Sequence, residues 1–265
     1  MIDLKERYTK QRVEEFFRKV YNYRIFGKKA GESMKQLRHK RYWQTGALSG
    51  AISAVVYMIH VIMGGILWNG YSHIRQTISE LTGNGAPDAE MLRVFTIGYG
   101  ILAVIFSIIV YVLFRKYQVH RIAQFGAILL LIMHIASLIG YSLFPLEQGG
   151  EVLTFGNFMH LAITATVVIA TVGAMFAIGY GLWLTKDFRA IGLFTLACAI
   201  VIVLAGIATP IVFNREMPFA GLVERVIIFT LQLWTFVLSL YLYRLPQIVD
   251  MDVKRRGLIE VFKER

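Results

Sequence analysis

"AIGLFTLACAIVIVLAGIATPIVF", residues 190–213, runs for 24 residues without a charged side chain. An α-helix rises about 1.5 Å per residue, so about 20 apolar residues cross the ~30 Å hydrocarbon core of a bilayer. This run is long enough to cross. Five other segments meet the same test: Gly46–Trp68, Val94–Phe114, Ile122–Phe144, Phe158–Leu184 and Leu222–Tyr243. The sequence therefore predicts an all-α fold, a polytopic membrane bundle of six transmembrane helices.

Composition agrees. Hydrophobic residues make up 56% of the chain and charged residues only 17%, where a soluble domain carries about a quarter charged. The charges gather at the chain ends and in short gaps. Three parts follow: a basic amphipathic arm at 1–41, a six-helix transmembrane domain at 42–244 and a basic tail at 245–265. The lone Cys198 lies in an apolar run, so it makes no internal disulfide and no cysteine metal cluster. No cofactor is expected. The residues before the first span are charged, so that span is expected to act as the insertion signal.

The basic residues are unevenly shared. Of 28 Lys and Arg, 24 fall in the N-terminal arm, the gaps "RKYQVHR" and "TKDFRA", and the tail from Arg244. The remaining gaps hold only Arg75, Arg93, Arg215 and Arg225. The positive-inside rule then puts both termini in the cytoplasm of a cell-membrane protein. The net charge of +11 becomes a property of the inner face, suited to anionic lipids. No aromatic and basic platform accompanies it, so nucleic acid is not an expected partner. Within the arm, Val13, Phe16, Phe17 and Val20 recur at helical spacing among Arg12, Arg18, Lys19 and Arg24. Such a helix lies on the anionic inner leaflet or packs on the protein's own cytoplasmic loops.

The first outer gap, "YSHIRQTISELTGNGAPDAEMLR" (71–93), is polar and carries both charge signs. Residues 72–81 are expected to form a short helix or an interfacial segment; as a helix it would be capped by Ser72, with Ile74, Ile78 and Leu81 on one face. "TGNGAP" is a turn cluster, and Pro87 with Asp88 is placed to start the second span. Pro210 is expected to kink or end the fifth helix. The spans themselves carry polar or small stripes. Ser49, Ser53, Tyr57, His60 and Gly64 follow helical steps in the first, and Thr96, Gly100, Ala103, Ser107 and Tyr111 in the second. His134, Ser137 and Tyr141 share a face of the third, and His160, Thr164 and Thr171 one of the fourth. Arg225, Gln232 and Ser239 recur every seven residues in the sixth. Hydroxyls and small residues at such spacing ordinarily serve helix packing. Ionisable groups inside spans point to function by default, and here they lean toward the outer half, which suggests an outward-facing polar cavity.

The order "S…TISEL…GAP" after the first helix, "FP…G" after the third with His160 heading the fourth, and "GLVER" opening the sixth resembles a known membrane family, domain of unknown function 998. The resemblance covers roughly Tyr42 to Tyr243. It implies an integral membrane protein with about six spans and no particular reaction.

Three functions fit these residues. One is binding or transport of a lipid or small amphiphile, with Arg75, Ser79, Arg93, Arg225 and His134 as ligand-binding candidates, since arginine forks hold oxyanions. A second is a lipid-modifying hydrolase or transferase on the outer face. There His160 would be the general base or a metal ligand, Glu80, Asp88 or Glu224 its carboxylate partner, and Ser72 or Ser79 a nucleophile. No GxSxG elbow surrounds either serine, and no HExxH motif is present, so no metal is assigned. The third is an accessory structural protein, which explains the turn and cap residues at once.

Overall fold

A computed structural model describes residues 42–147, 154–215 and 217–263, with side chains described except at 213, 214 and 246–263. The N-terminal arm lies outside the described residues. The chain forms α1 (Tyr42–Leu67), α2 (Ile78–Leu81), α3 (Ala89–Lys116), α4 (Arg121–Leu143), α5 (Phe155–Leu184), α6 (Arg189–Asn214) and α7 (Ala220–Lys263). All but α2 contain a segment long and apolar enough to cross a membrane. The protein is therefore a multi-pass membrane protein, and its solvent is a lipid bilayer. Its outer surface is apolar to match, with Ile66 and Ile169 each about three-quarters exposed (76% and 74%).

Helices adjacent in sequence pack against each other, α3 on α4, α4 on α5, α5 on α6 and α6 on α7. In a bilayer the drive for this is close van der Waals contact, which small residues permit. At Gly181 a Cβ would lie 2.3 Å from the Ala123 backbone nitrogen, so the backbones of α4 and α5 meet directly there. The last helix returns to the first. The Ser239 hydroxyl donates to the Ala47 carbonyl at 2.7 Å and accepts the Ala51 N–H at 2.9 Å. Gln44 Nε2 donates to the Tyr243 carbonyl at 3.4 Å. The start of α1 thus lies beside the end of the last span. At the opposite, distal end the described parts of the connections meet, with the Asn84 N–H bonded to the Leu146 carbonyl and the Leu222 N–H to the Ile74 carbonyl.

Three sequence expectations are corrected. The helix expected over 72–81 forms only at 78–81, because Thr77 adopts extended backbone (φ −74°, ψ 160°). Ile78 and Leu81 are buried, but Ile74 is exposed, so the three share no face. Asp88 does occupy the cap position of α3, in the left-handed region (φ 56°), yet its side chain makes no capping hydrogen bond. Pro210 sits inside α6, which continues to Asn214, so it does not end the helix.

Candidate functional site

The short helix α2 drops its apolar side into the distal mouth. Ile78 and Leu81 pack with Val61 of α1 and Leu92 of α3, and Tyr57, Trp68, Ile228 and Phe229 close around them. A four-residue helix gains little from its own hydrogen bonds, so its ends need outside partners. Glu80 reaches back to Thr77 in capping-box fashion, accepting its N–H at 2.9 Å and its hydroxyl at 3.0 Å. The Glu224 carboxylate of α7 accepts the Ile78 N–H and, at 2.8 Å, the Ser79 hydroxyl. The loop returns the favour. The Gly221 N–H donates to the Arg75 carbonyl at 3.2 Å, and the Leu222 N–H is shared between the carbonyls of Ile74 at 3.0 Å and Phe219 at 3.1 Å. The loop and α7 therefore cap each other.

Arg225 fixes this junction. Its Nη1 donates to the carbonyls of Gln76 (2.7 Å) and Gly221 (2.9 Å). Its Nη2 donates to the Tyr71 hydroxyl (2.7 Å) and to His73 Nδ1 (3.1 Å). The guanidinium also lies over the Tyr71 ring, 5.6 Å from its centroid. Burial pushes the Tyr71 phenol up to about 12, against the pull of Arg225. His73 is held below its ordinary range, first by partial burial and then by the Arg225 charge. An unprotonated Nδ1 is what accepts the arginine N–H.

Arg93 grips the far end of the same loop. Its Nε donates to the Thr82 carbonyl at 3.0 Å, Nη2 to Asn84 at 2.7 Å and Nη1 to Glu90 at 2.7 Å. Asn84 N–H donates to the Leu146 carbonyl at 2.6 Å, which joins the first distal loop to the second. Nearby, Glu147 N–H donates to Asn157 and the Thr154 hydroxyl donates to the Glu147 carboxylate.

Below this lid lies a second polar group, inside the bundle. Tyr57 packs edge-on to His60 (centroids 5.3 Å) and to Tyr99 (4.8 Å), and Tyr99 stands 6.5 Å from His134. Gln232 Nε2 donates to the Tyr99 hydroxyl at 3.2 Å, and His134 Nδ1 shares a 2.7 Å hydrogen bond with the Ser107 hydroxyl. Counted from the distal ends of their helices, Tyr57, His60, Tyr99, His134 and Gln232 lie between about 10 and 18 Å deep. They form one layer. Tyr57 is within electrostatic reach of Glu224, Tyr99 and Tyr141. Tyr141 in turn lies 5.1 Å from the His160 ring, linking the layer to the lid. Four buried side-chain atoms lack a hydrogen-bond partner among the described residues: both ring nitrogens of His60, Gln232 Oε1 and Arg225 Nε. The Tyr57 carbonyl one turn back comes near the His60 ring without completing a hydrogen bond. His60 is 1% exposed and Gln232 4%.

The sequence-derived candidates are placed as follows. Glu80, Glu224, Ser79, Arg93 and Arg225 come together around the first distal loop, bonded mostly to its backbone and to each other's partners. Arg75 is exposed, and its guanidinium has no hydrogen bond or ion pair with a described residue. His160 is buried, with Nδ1 2.9 Å from the Phe144 carbonyl, and none of Glu80, Asp88 and Glu224 hydrogen-bonds it. His134 belongs to the inner layer. Among the described residues no three His, Cys, Asp or Glu side chains stand close enough to share a metal ion. The sequence candidates leave out Tyr71, His73 and Tyr99, whereas His60 and Gln232 stand on the polar stripes expected to face inward. The signal for Tyr99 is its four-residue step to Ala103 and Ser107, which puts it on the inward stripe beside Gly100.

Neither the curated proteins nor the solved structures contain a match to this chain. One family model does match, over residues 51–241, from within the first half of α1 to the last turns of the sixth span. The matched stretch takes in the distal loop, its two arginines and the whole inner layer, and on that match the chain belongs to the family described as Protein of unknown function (DUF998).

Proposed function

We propose that this protein resides in the cell membrane with both termini in the cytoplasm and binds a lipid or small amphiphile in the outer half of the bundle, beneath the distal loop. The uneven sharing of basic residues supports the orientation. The observation that carries the binding is the set of unpartnered polar atoms on His60 and Gln232. A buried polar atom without a partner costs about 1–3 kcal/mol, and a membrane interior supplies no water to relieve it. Side chains kept at that cost are ones a ligand uses. A groove of about 380 Å³ runs along the outer half of α7, lined by Leu222, Arg225, Val226, Phe229, Thr230 and Leu233. It is a shallow, open depression on one face of α7, and Gln232 is not among the residues that line it. The N-terminal arm is assigned to the anionic inner leaflet.

The enzyme reading comes second. Glu80, Glu224, Arg93 and Arg225 are each engaged in holding the loop, which favours a framework role for them over acid–base or oxyanion chemistry.

The test is native mass spectrometry of protein released from its own membrane in mild detergent. Wild type is expected to carry an amphiphile of defined mass, and Gln232→Leu is expected to lose it while unfolding at a similar temperature. A wild-type protein free of adducts, or equal occupancy in the variant, would overturn the proposal.

A further inference from the structure

The groove along α7 is separate from the inner layer. Its lining residues recur at helical steps from Leu222 to Leu233, so they form one stripe of the helix, roughly 16 Å long. Leu222, Val226 and Leu233 are exposed, and in a multi-pass protein an exposed apolar stripe faces lipid chains. An acyl chain alone fills such a furrow without preference. A lipid held there needs a polar contact at its head.

Arg75 supplies that contact. The Gly221 N–H donates to the Arg75 carbonyl and the Leu222 N–H to the Ile74 carbonyl, so backbone bonds seat Arg75 beside the head of the groove, level with the first turn of α7. Four charged side chains belong to this junction: Arg75, Glu80, Glu224 and Arg225. Glu80 is bonded to Thr77, and Glu224 to Ile78 and Ser79. Both Nη atoms of Arg225 are spent on the loop and on Gly221. Arg75 is exposed, and among the described residues its guanidinium alone of the four has no partner. An uncommitted guanidinium at the end of a span matches a phosphate, which it can hold through two N–H groups at once.

We infer a second lipid site on the outside of the bundle: a glycerophospholipid of the distal leaflet, its phosphate held by Arg75 and one acyl chain lying in the groove along α7. The site uses neither His60 nor Gln232, so it stands or falls apart from the inner layer. The loop that Glu224 and Arg225 fasten to α7 is what places Arg75 over the groove.

The experiment is photolabelling of the full chain in phosphatidylcholine nanodiscs that carry a trace of one of two diazirine lipids. One is a phosphatidylglycerol and the other a diacylglycerol with the same chains, so the phosphate headgroup is the only difference. Peptide mapping reads the labelling of residues 222–230 relative to Leu161, a lipid-facing residue of α5 that is 57% exposed. Phosphatidylglycerol is expected to label the groove about fivefold over the diacylglycerol, the size of one arginine at a membrane surface. Arg75→Gln should bring the two lipids level, and Arg75→Lys should keep part of the preference. Gln232→Leu and Arg115→Gln, the second at the proximal end of α3, should leave it unchanged. Equal labelling by the two lipids in wild type would overturn the proposal, as would a preference that survives Arg75→Gln or disappears in Arg115→Gln. A preference lost in Gln232→Leu would make the label a report of the inner layer and overturn the separate site. Full competition by excess glycerol phosphate would also overturn it, since the ligand would then be a soluble phosphate.

Discussion

Nη1 of Arg225 stands 2.7 Å from the carbonyl oxygen of Gln76, joining the second turn of α7 to the first distal loop. Between them sits Gly221, where a Cβ would lie 2.1 Å from that same carbonyl oxygen. The contact is backbone against backbone, so no side-chain rotation relieves it. Gly221→Ala is expected to lift the loop from α7 and destabilise the protein by about 1–3 kcal/mol, the usual cost of overpacking. Gly206 is the control, since a Cβ there meets nothing within 4 Å. Gly206→Ala is expected to be neutral or to stabilise by up to ~1 kcal/mol through helix propensity. Thermal unfolding in detergent reads both. Equal effects of the two substitutions would contradict the close approach.

The two loop arginines should differ in weight. Arg225 is buried at 6% exposure, with four hydrogen-bond partners. Arg93 pairs with a Glu90 side chain that is 89% exposed, and such surface pairs contribute about 0–1 kcal/mol. Arg225→Ala is expected to cost about 2–4 kcal/mol through its charge-assisted bonds, and Arg93→Ala clearly less. Arg225→Lys should recover little, because one ammonium cannot span the Gln76 carbonyl and the Tyr71 hydroxyl as a fork does. Comparable unfolding temperatures for Arg93→Ala and Arg225→Ala would count against this ranking.

Much of the architecture follows from the sequence, because crossing a bilayer demands runs whose length and apolarity are visible residue by residue. The distal loop is less legible. Ser72 and Asp88 look like caps, but Thr77 and Glu80 in "TISE" form the reciprocal pair around α2. The capping-box spacing is present, yet α2 is too short to leave a periodic apolar pattern behind it. The partners of Arg225 are harder still. Two are backbone carbonyls, which no side-chain pattern encodes, and the others, Tyr71 and His73, lie about 150 residues away in the chain. Arg225 and Arg93 read as ligand-binding from their chemistry alone. In the structure that chemistry is directed at the protein's own loop.

Acid should loosen the lid. His73 has a lowered folded-state pKa, so above the unfolded value of about 6.5 both states are neutral and the junction keeps its full stability. As pH falls below about 6.5 the unfolded or released loop takes up protons first, and stability declines until the folded-state pKa is passed. Protonation also removes the Nδ1 acceptor and sets two cations side by side; Tyr71, Glu80 and Glu224 are the other titratable groups at the junction. Hydrogen exchange of the Gly221 and Leu222 amides should quicken between about pH 7 and pH 5 beyond the intrinsic trend. His73→Gln should flatten that excess. An unchanged excess in the variant would assign the effect to another group.

His60 should cost stability where it stands. Both ring nitrogens are buried without partners, so an apolar ring of similar size removes a desolvation penalty without breaking a bond. His60→Phe is expected to raise the unfolding temperature of ligand-free protein, corresponding to about 1–2 kcal/mol. A large loss of stability would mean that the ring has a structural partner.

The central claim is that an amphiphile's polar end sits in the inner layer. Photocrosslinking in native membranes tests it most directly, using a long-chain alcohol with a diazirine beside its hydroxyl, followed by peptide mapping. The account predicts labelling on α1 around Tyr57–Val61 and on α7 around Phe229–Leu233, competed by unlabelled alcohol and lost in the Gln232→Leu protein. Labelling confined to lipid-facing positions such as Ile66 and Ile169, without competition, would contradict it.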